Sequence, residues 1–195
     1  MICHALFVLA LTALVHCGTD RTFAAPKGAK PPPAASAPAE MAIKDPALLP
    51  APVAEMREAI LGAVRSGQIE DLRTAIEWNE LPPALADTGF DDPITFLRQA
   101  SADGEGREML GIIGDLLSAV ATRLPIGRDV ENADVYVWPY LAERPLDKLS
   151  PAEEVELLRL VPAATAAAMR TAKRWTWYRL VIGADGTWHS FMRHE

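Results

Sequence analysis

Two hydrophobic periods divide this chain. From Val53 to Lys173 apolar side chains recur every three or four residues, as on one face of a helix; from Trp175 they recur every second residue, as on a strand. The fold must therefore pack helices and then close with extended chain. Val53, Met56, Ile60, Leu61 and Val64 mark a first helix, with Gly67 as its stop. Ile69, Leu72 and Ile76 mark a second, ending near Trp78-Asn79, and Leu81-Pro82-Pro83 breaks the pattern. Asp92-Pro93 opens a third as N-cap and first helical residue, with Ile94, Phe96 and Leu97 on its apolar face.

The run Met109, Leu110, Ile112, Ile113, Leu116, Leu117, Val120, Leu124 predicts the most apolar helix, buried on most sides and ended by Pro125. Gly111 and Gly114 would let a neighbour approach it closely. Ser150-Pro151-Ala152-Glu153 is a capping box that launches a helix to Val161; Pro162 interrupts, and 163–173 resumes as an alanine-rich helix. The expected fold is mainly α (α+β): a bundle of about five or six helices with a C-terminal β-hairpin over 175–193.

Gly183-Ala184-Asp185-Gly186 is the turn of that hairpin. Two-residue loops at Asp185-Gly186 or Ala184-Asp185 give the same partition. One face carries Trp177, Arg179, Val181, Trp188, Ser190 and Met192, and the other Tyr178, Leu180, Ile182, His189, Phe191 and Arg193. Neither face is polar, so both must be covered or meet a partner. Eight of the thirteen aromatic residues fall between Tyr136 and Phe191. Trp138, Tyr140, Trp175, Trp177 and Trp188, with Arg179 as a charged handle, are the candidate ligand- or partner-binding residues. Flat rings stack on sugars or hold peptides. The competing reading is that these rings glue the hairpin to the helices, and at least two of Trp175, Trp177 and Trp188 must be accessible for the surface reading to stand.

At the other end, the apolar run Ala5–Val15 is too short to span a bilayer and suits a secretion signal, with small residues for cleavage near Ala24/Ala25. Leu14-Val15-His16-Cys17 resembles a lipobox apart from His16, so membrane attachment is expected only if Cys17 is lipidated. Residues 26–52 hold eight of the sixteen prolines and read as a Pro/Ala-rich linker to a single domain over 53–195. Cleavage removes both cysteines and two of the four histidines, leaving His189 and His194. The mature chain has no thiol nucleophile, no disulfide and too few histidines for a zinc site, so no metal and no cofactor is expected. A net charge of −7 without a basic cluster argues against nucleic acid.

Asp87-Thr88-Gly89 matches the aspartic-protease triplet. The run from Ala84 to Asp92 resembles the retroviral protease active site, as Ile126-Gly127-Arg128 resembles that family's later glycine element. That family is all-β, whereas 92–124 reads as helical here. Ala63 to Arg73 resembles the paired helices of ankyrin repeats, but no second copy follows at a period of about 33. Tyr136-Val-Trp-Pro-Tyr140, Leu149-Ser-Pro-Ala-Glu-Glu-Val-Glu-Leu157 and Ile182-Gly-Ala-Asp-Gly-Thr-Trp-His189 together resemble uncharacterised exported proteins of alphaproteobacteria, a likeness that implies export and no activity.

The sequence thus points to a periplasmic or secreted, non-catalytic binding or structural module of the cell envelope. Its expected partners are a cell-wall glycan, a peptide or an envelope protein. The alternative is a hydrolase using carboxylates near Asp87–Asp92, or His189.

Overall fold

Gly67 ends the first helix because it adopts φ 67°, a left-handed backbone that a Cβ disfavours. The structure, a computed structural model, describes residues 41–86, 89, 91–125 and 134–194. The expected signal segment, Cys17, linker residues 26–40, Asp87, Thr88 and residues 126–128 lie outside the described residues. Helix α1 (Ala51–Ser66) buries Val53, Met56, Ile60 and Ala63, with Leu61 and Val64 packed at the margin. After a single turn at Ile69–Asp71, α2 (Leu72–Glu77) buries Leu72, Ala75 and Ile76. Asp92 caps α3 (Pro93–Ala100) by accepting from Thr95 N at 2.8 Å. The capping box at α5 (Pro151–Leu160) is complete in both directions, and α6 (Ala163–Ala172) follows Pro162.

The apolar helix is shorter than its sequence suggests. Helix α4 (Arg107–Ser118) stops before Val120, and Ala121–Pro125 is a strand, β2. Val120 and Leu124 keep the helical spacing of Leu116 and Leu117, so periodicity alone extends the helix. Strand pairing decides the segment instead. Strand β2 lies between β1 (Ala42–Ile43) and β3 (Asp134–Trp138), in register Ala42↔Thr122 and Thr122↔Val137. β4 (Tyr178–Gly183) and β5 (Trp188–Arg193) complete a five-stranded antiparallel sheet in the order β1-β2-β3-β4-β5. The expected hairpin is therefore the far edge of a larger sheet. The folded unit also takes in residues 41–52, which composition alone placed in the linker: β1 pairs with β2, and Asp45 caps a turn at Pro46–Leu48.

One face of the sheet packs on the helices. Tyr136, Trp138, Leu180, Ile182, Trp188 and Phe191 join the buried faces of α1, α4 and α5 in one core. The other face carries a small cluster of Val135, Val137 and Val181, with Leu124 and Ala142 beside it. The two central helices touch closely. A Cβ on Gly114 would meet Val64 Cγ1 at 2.8 Å, whereas one on Gly111 would meet nothing within 4 Å. Only one of the two glycines expected to admit a neighbour does so. Arg57 of α1 donates from Nε and Nη2 to Leu117 O at 3.2 and 2.8 Å, placing a cation at the C-terminal end of α4. Among the described residues no helix is long and apolar enough to cross a membrane.

Candidate functional site

The hairpin turn decides which way Trp188 faces. Gly183 N donates to Thr187 O at 2.8 Å, so the loop holds three residues, and Gly186 adopts φ 91° within it. Ile182 then pairs with Trp188, while Val181 pairs with Ser190, leaving His189 as the extra residue of a bulge. The two-residue loops expected from the sequence would have set Trp188 on the Arg179 face. The bulge turns it over, onto the Ile182 face and into the core. Leu180 with Phe191 and Arg179 with Met192 keep the expected partition.

Four of the six candidate binding residues are packed inside. Trp188 is fully buried, Trp138 is 1% exposed and Trp175 is 4% exposed, and Tyr140 is buried beside them. The indole N–H of Trp188 donates to Ser190 O at 3.1 Å and that of Trp175 to Tyr178 O at 2.9 Å. With their one polar atom satisfied locally, nothing holds these rings at the surface. The aromatic-surface expectation is thereby corrected, since of Trp175, Trp177 and Trp188 only Trp177 keeps partial exposure. Arg179 is committed elsewhere: its Nη1 pairs with Glu143 Oε1 at 2.7 Å.

One cavity opens at the end of the hairpin. It has a volume of about 230 Å³ and is lined by Leu85, Ala86, Phe96, Leu97, Ala100, Met109, Tyr178, Phe191, Met192 and Arg193. Three segments converge there. Ala84 joins the outer edge of β5, donating to His189 O and accepting from Phe191 N, both at 2.9 Å, which brings Leu85 and Ala86 alongside the hairpin. Helix α3 supplies Phe96, Leu97 and Ala100, and α4 supplies Met109. On the hairpin, Tyr178 stacks on Phe191 with centroids 4.9 Å apart, and Trp177 meets Tyr178 edge-on at 5.4 Å. The Arg193 guanidinium stands 4.9 Å above the Trp177 ring. Burial raises the Tyr178 pKa above its ordinary value, against the lowering effect of Arg193. The cavity thus has apolar walls and a cation at its rim.

A second cavity, of about 370 Å³, is polar and includes Lys44, Tyr140, Arg144, Ser150, Glu153 and Glu156. Three of its groups have shifted pKa values. Burial pushes the Tyr140 hydroxyl well up, with Glu153 and Glu156 adding to it. Burial also pushes Glu153 up. The Ser150 backbone and hydroxyl, Tyr140 and Arg144 outweigh it and hold Glu153 below the usual range. Glu156 is held above that range, chiefly by burial. Two carboxylates with pKa values driven apart is the arrangement an acid–base pair needs. Both are nonetheless spent on the backbone. Glu153 accepts from Ser150 N at 2.7 Å and pairs with Arg144 at 3.3 Å, while Glu156 accepts from Val120 N at 3.1 Å. They tie α5 to the start of β2 and close its first turn.

The hydrolase candidates divide. Asp87 lies outside the described residues. Asp92 serves α3 and pairs with Arg73 at 3.2 Å; its backbone bond to Thr95 is the largest influence holding its pKa down. His189, expected on the Ile182 face, sits at the bulge, half-buried, with Nε2 enclosed and without a hydrogen-bond partner among the described residues. No group of three His, Cys, Asp or Glu side chains among the described residues is placed to hold a metal ion.

One aromatic residue outside the expected Tyr136–Phe191 cluster is exposed. Trp78 is 58% accessible, just past the end of α2. A signal was available, because Trp78 falls two residues after Ile76, off the stripe that the helix buries, between Glu77 and Glu80. No protein-family model, no curated protein and no solved structure matches this chain.

Proposed function

We propose that the chain is an exported, non-catalytic binding module of the cell envelope, and that its ligand seat is the cavity between α3 and the end of the hairpin. Export is supported by the uncharged apolar run Ala5–Val15 followed by small residues at 24–25 and a Pro/Ala-rich stretch. Binding is supported by the cavity itself, with apolar walls and the Arg193 side chain among its lining. Ligand pockets for drug-sized molecules run roughly 300–1,000 Å³. At about 230 Å³ this one suits a single side chain or a short acyl segment rather than a glycan chain. Arg193 favours an anionic group beside that apolar portion, such as a carboxylate. A peptide C-terminus or a small anionic amphiphile fits this description, and the buried state of Trp138, Trp175 and Trp188 disfavours the glycan reading.

Titration of the purified domain with decanoate and with decanol, followed by isothermal calorimetry, tests the seat. Decanoate is expected to bind more tightly, and Arg193→Gln to erase its advantage over the alcohol. Equal binding of both ligands to the parent protein, or an unchanged response in Phe96→Ala, sinks the proposal. Mass spectrometry of the N-terminus in the envelope fraction tests export separately, since an uncleaved chain starting at Met1 contradicts it.

A further inference from the structure

A single exposed apolar residue needs no explanation, and Leu48 and Leu81 are such residues. Trp78 differs because its surroundings are built. It lines a cavity of about 170 Å³ together with Pro52, Glu55, Met56, Asp185, Gly186 and Thr187. The backbone of two of its walls is fixed. The adjacent Asn79 donates from Nδ2 to Ala75 O at 3.1 Å and Ile76 O at 3.2 Å, and its Oδ1 accepts from Trp188 N at 2.8 Å. The backbone next to Trp78 is thus bolted both to its own helix and to β5. The hairpin turn opposite is held against α1 so closely that a Cβ on Gly186 would meet Pro52 O at 2.8 Å. Asp185 is oriented by Thr187, accepting from its N–H and its hydroxyl at 2.9 Å each.

Among the described residues that line the cavity the charged ones, Glu55 and Asp185, are both acidic, in a chain whose net charge is −7. An indole face attracts cations through its quadrupole, and carboxylates at its edge add to the attraction. A rigid ring also loses little conformational freedom on binding. We infer that Trp78, Glu55 and Asp185 form a second site, separate from the α3–hairpin cavity, that takes a small organic ammonium ion. The cavity size suits one methylated ammonium group rather than a sugar ring with its neighbours.

The test is titration of the ¹⁵N-labelled domain with tetramethylammonium chloride at constant ionic strength, read from the amide resonances of Gly186 and Thr187. Parallel titrations use tert-butanol as the uncharged counterpart and a neutral N-acetylglucosamine oligomer. Saturable shifts are expected with the ammonium alone. Trp78→Leu and Glu55→Gln, both changes at exposed positions, are each expected to weaken binding about three- to tenfold. A third variant, Arg193→Gln, lies outside this cavity and should leave the titration unchanged. Matching shifts from sodium chloride or tert-butanol overturn the inference, as does undiminished binding in Trp78→Leu. Binding of the sugar oligomer without the ammonium also overturns it, by showing a stacking site indifferent to charge.

Discussion

Replacing each of two glycines on α4 by alanine should have effects of opposite sign. Gly111 is exposed, and an added Cβ there meets nothing within 4 Å. Glycine costs a helix interior about 0.8–1.0 kcal/mol relative to alanine, so Gly111→Ala should stabilise the domain by about that much. For a domain of this length such a gain raises Tm by about 2–4 °C. Gly114→Ala gains the same propensity, but its Cβ would lie 2.8 Å from Val64 Cγ1. Carbon atoms rest at about 3.5–4.0 Å, so α1 and α4 must part by most of an ångström or Val64 must leave its rotamer. Overpacking of this kind costs about 1–3 kcal/mol, giving a net change between zero and a loss of about 2 kcal/mol. Urea unfolding and calorimetry of both variants supply the comparison. Val64→Ala supplies the control: on its background Gly114→Ala should recover the gain seen at Gly111, a coupling of about 1 kcal/mol or more. A Gly114→Ala variant as stable as Gly111→Ala, with no coupling to Val64, would refute the close approach of the two helices.

Two other outcomes follow from the polar contacts. Glu156 has a folded pKa above its ordinary value of 4.5, mainly through burial. The stability it contributes is present in full below that ordinary value and is lost as pH rises through the folded pKa. Glu156→Gln keeps an acceptor for Val120 N, so it should stabilise the domain at neutral pH and lose that advantage near pH 4; a gain that does not change with pH speaks against the shift. Asn79→Ala removes the acceptor of Trp188 N and should cost about 1–3 kcal/mol. Denaturant unfolding with the midpoint unmoved would show that the Asn79 clamp contributes nothing.

The helices were legible because their signals are local. Asp92-Pro93, Ser150 to Glu153 and Gly67 act within a turn of where they stand, and each performs its expected part. The end of α4 was not, since Val120 and Leu124 continue an apolar run that only pairing with Ala42–Ile43 and Asp134–Trp138 converts to strand. The same limit governed the candidate site. Strand alternation placed Leu180 with Phe191 and Arg179 with Met192 correctly, yet a single extra residue, His189, carried Trp188 from the Arg179 face to the Ile182 face and into the core.

Residue type and spacing alone specify a helical domain followed by a β-hairpin, together with an aromatic-rich, cysteine-free C-terminal half. Those properties depend on residue type and spacing over a few positions. Which rings are buried and which are offered to solvent is a matter of tertiary contacts. Exposure depends on contacts between residues far apart in the chain: Ala84 with Phe191, Asn79 with Trp188, Pro52 with Gly186. It depends also on the parity of the hairpin, which one inserted residue reverses because successive strand side chains point to opposite faces. That is why the exposed indole is Trp78, at the end of a short helix, and not Trp188 in the strand where aromatic density was greatest.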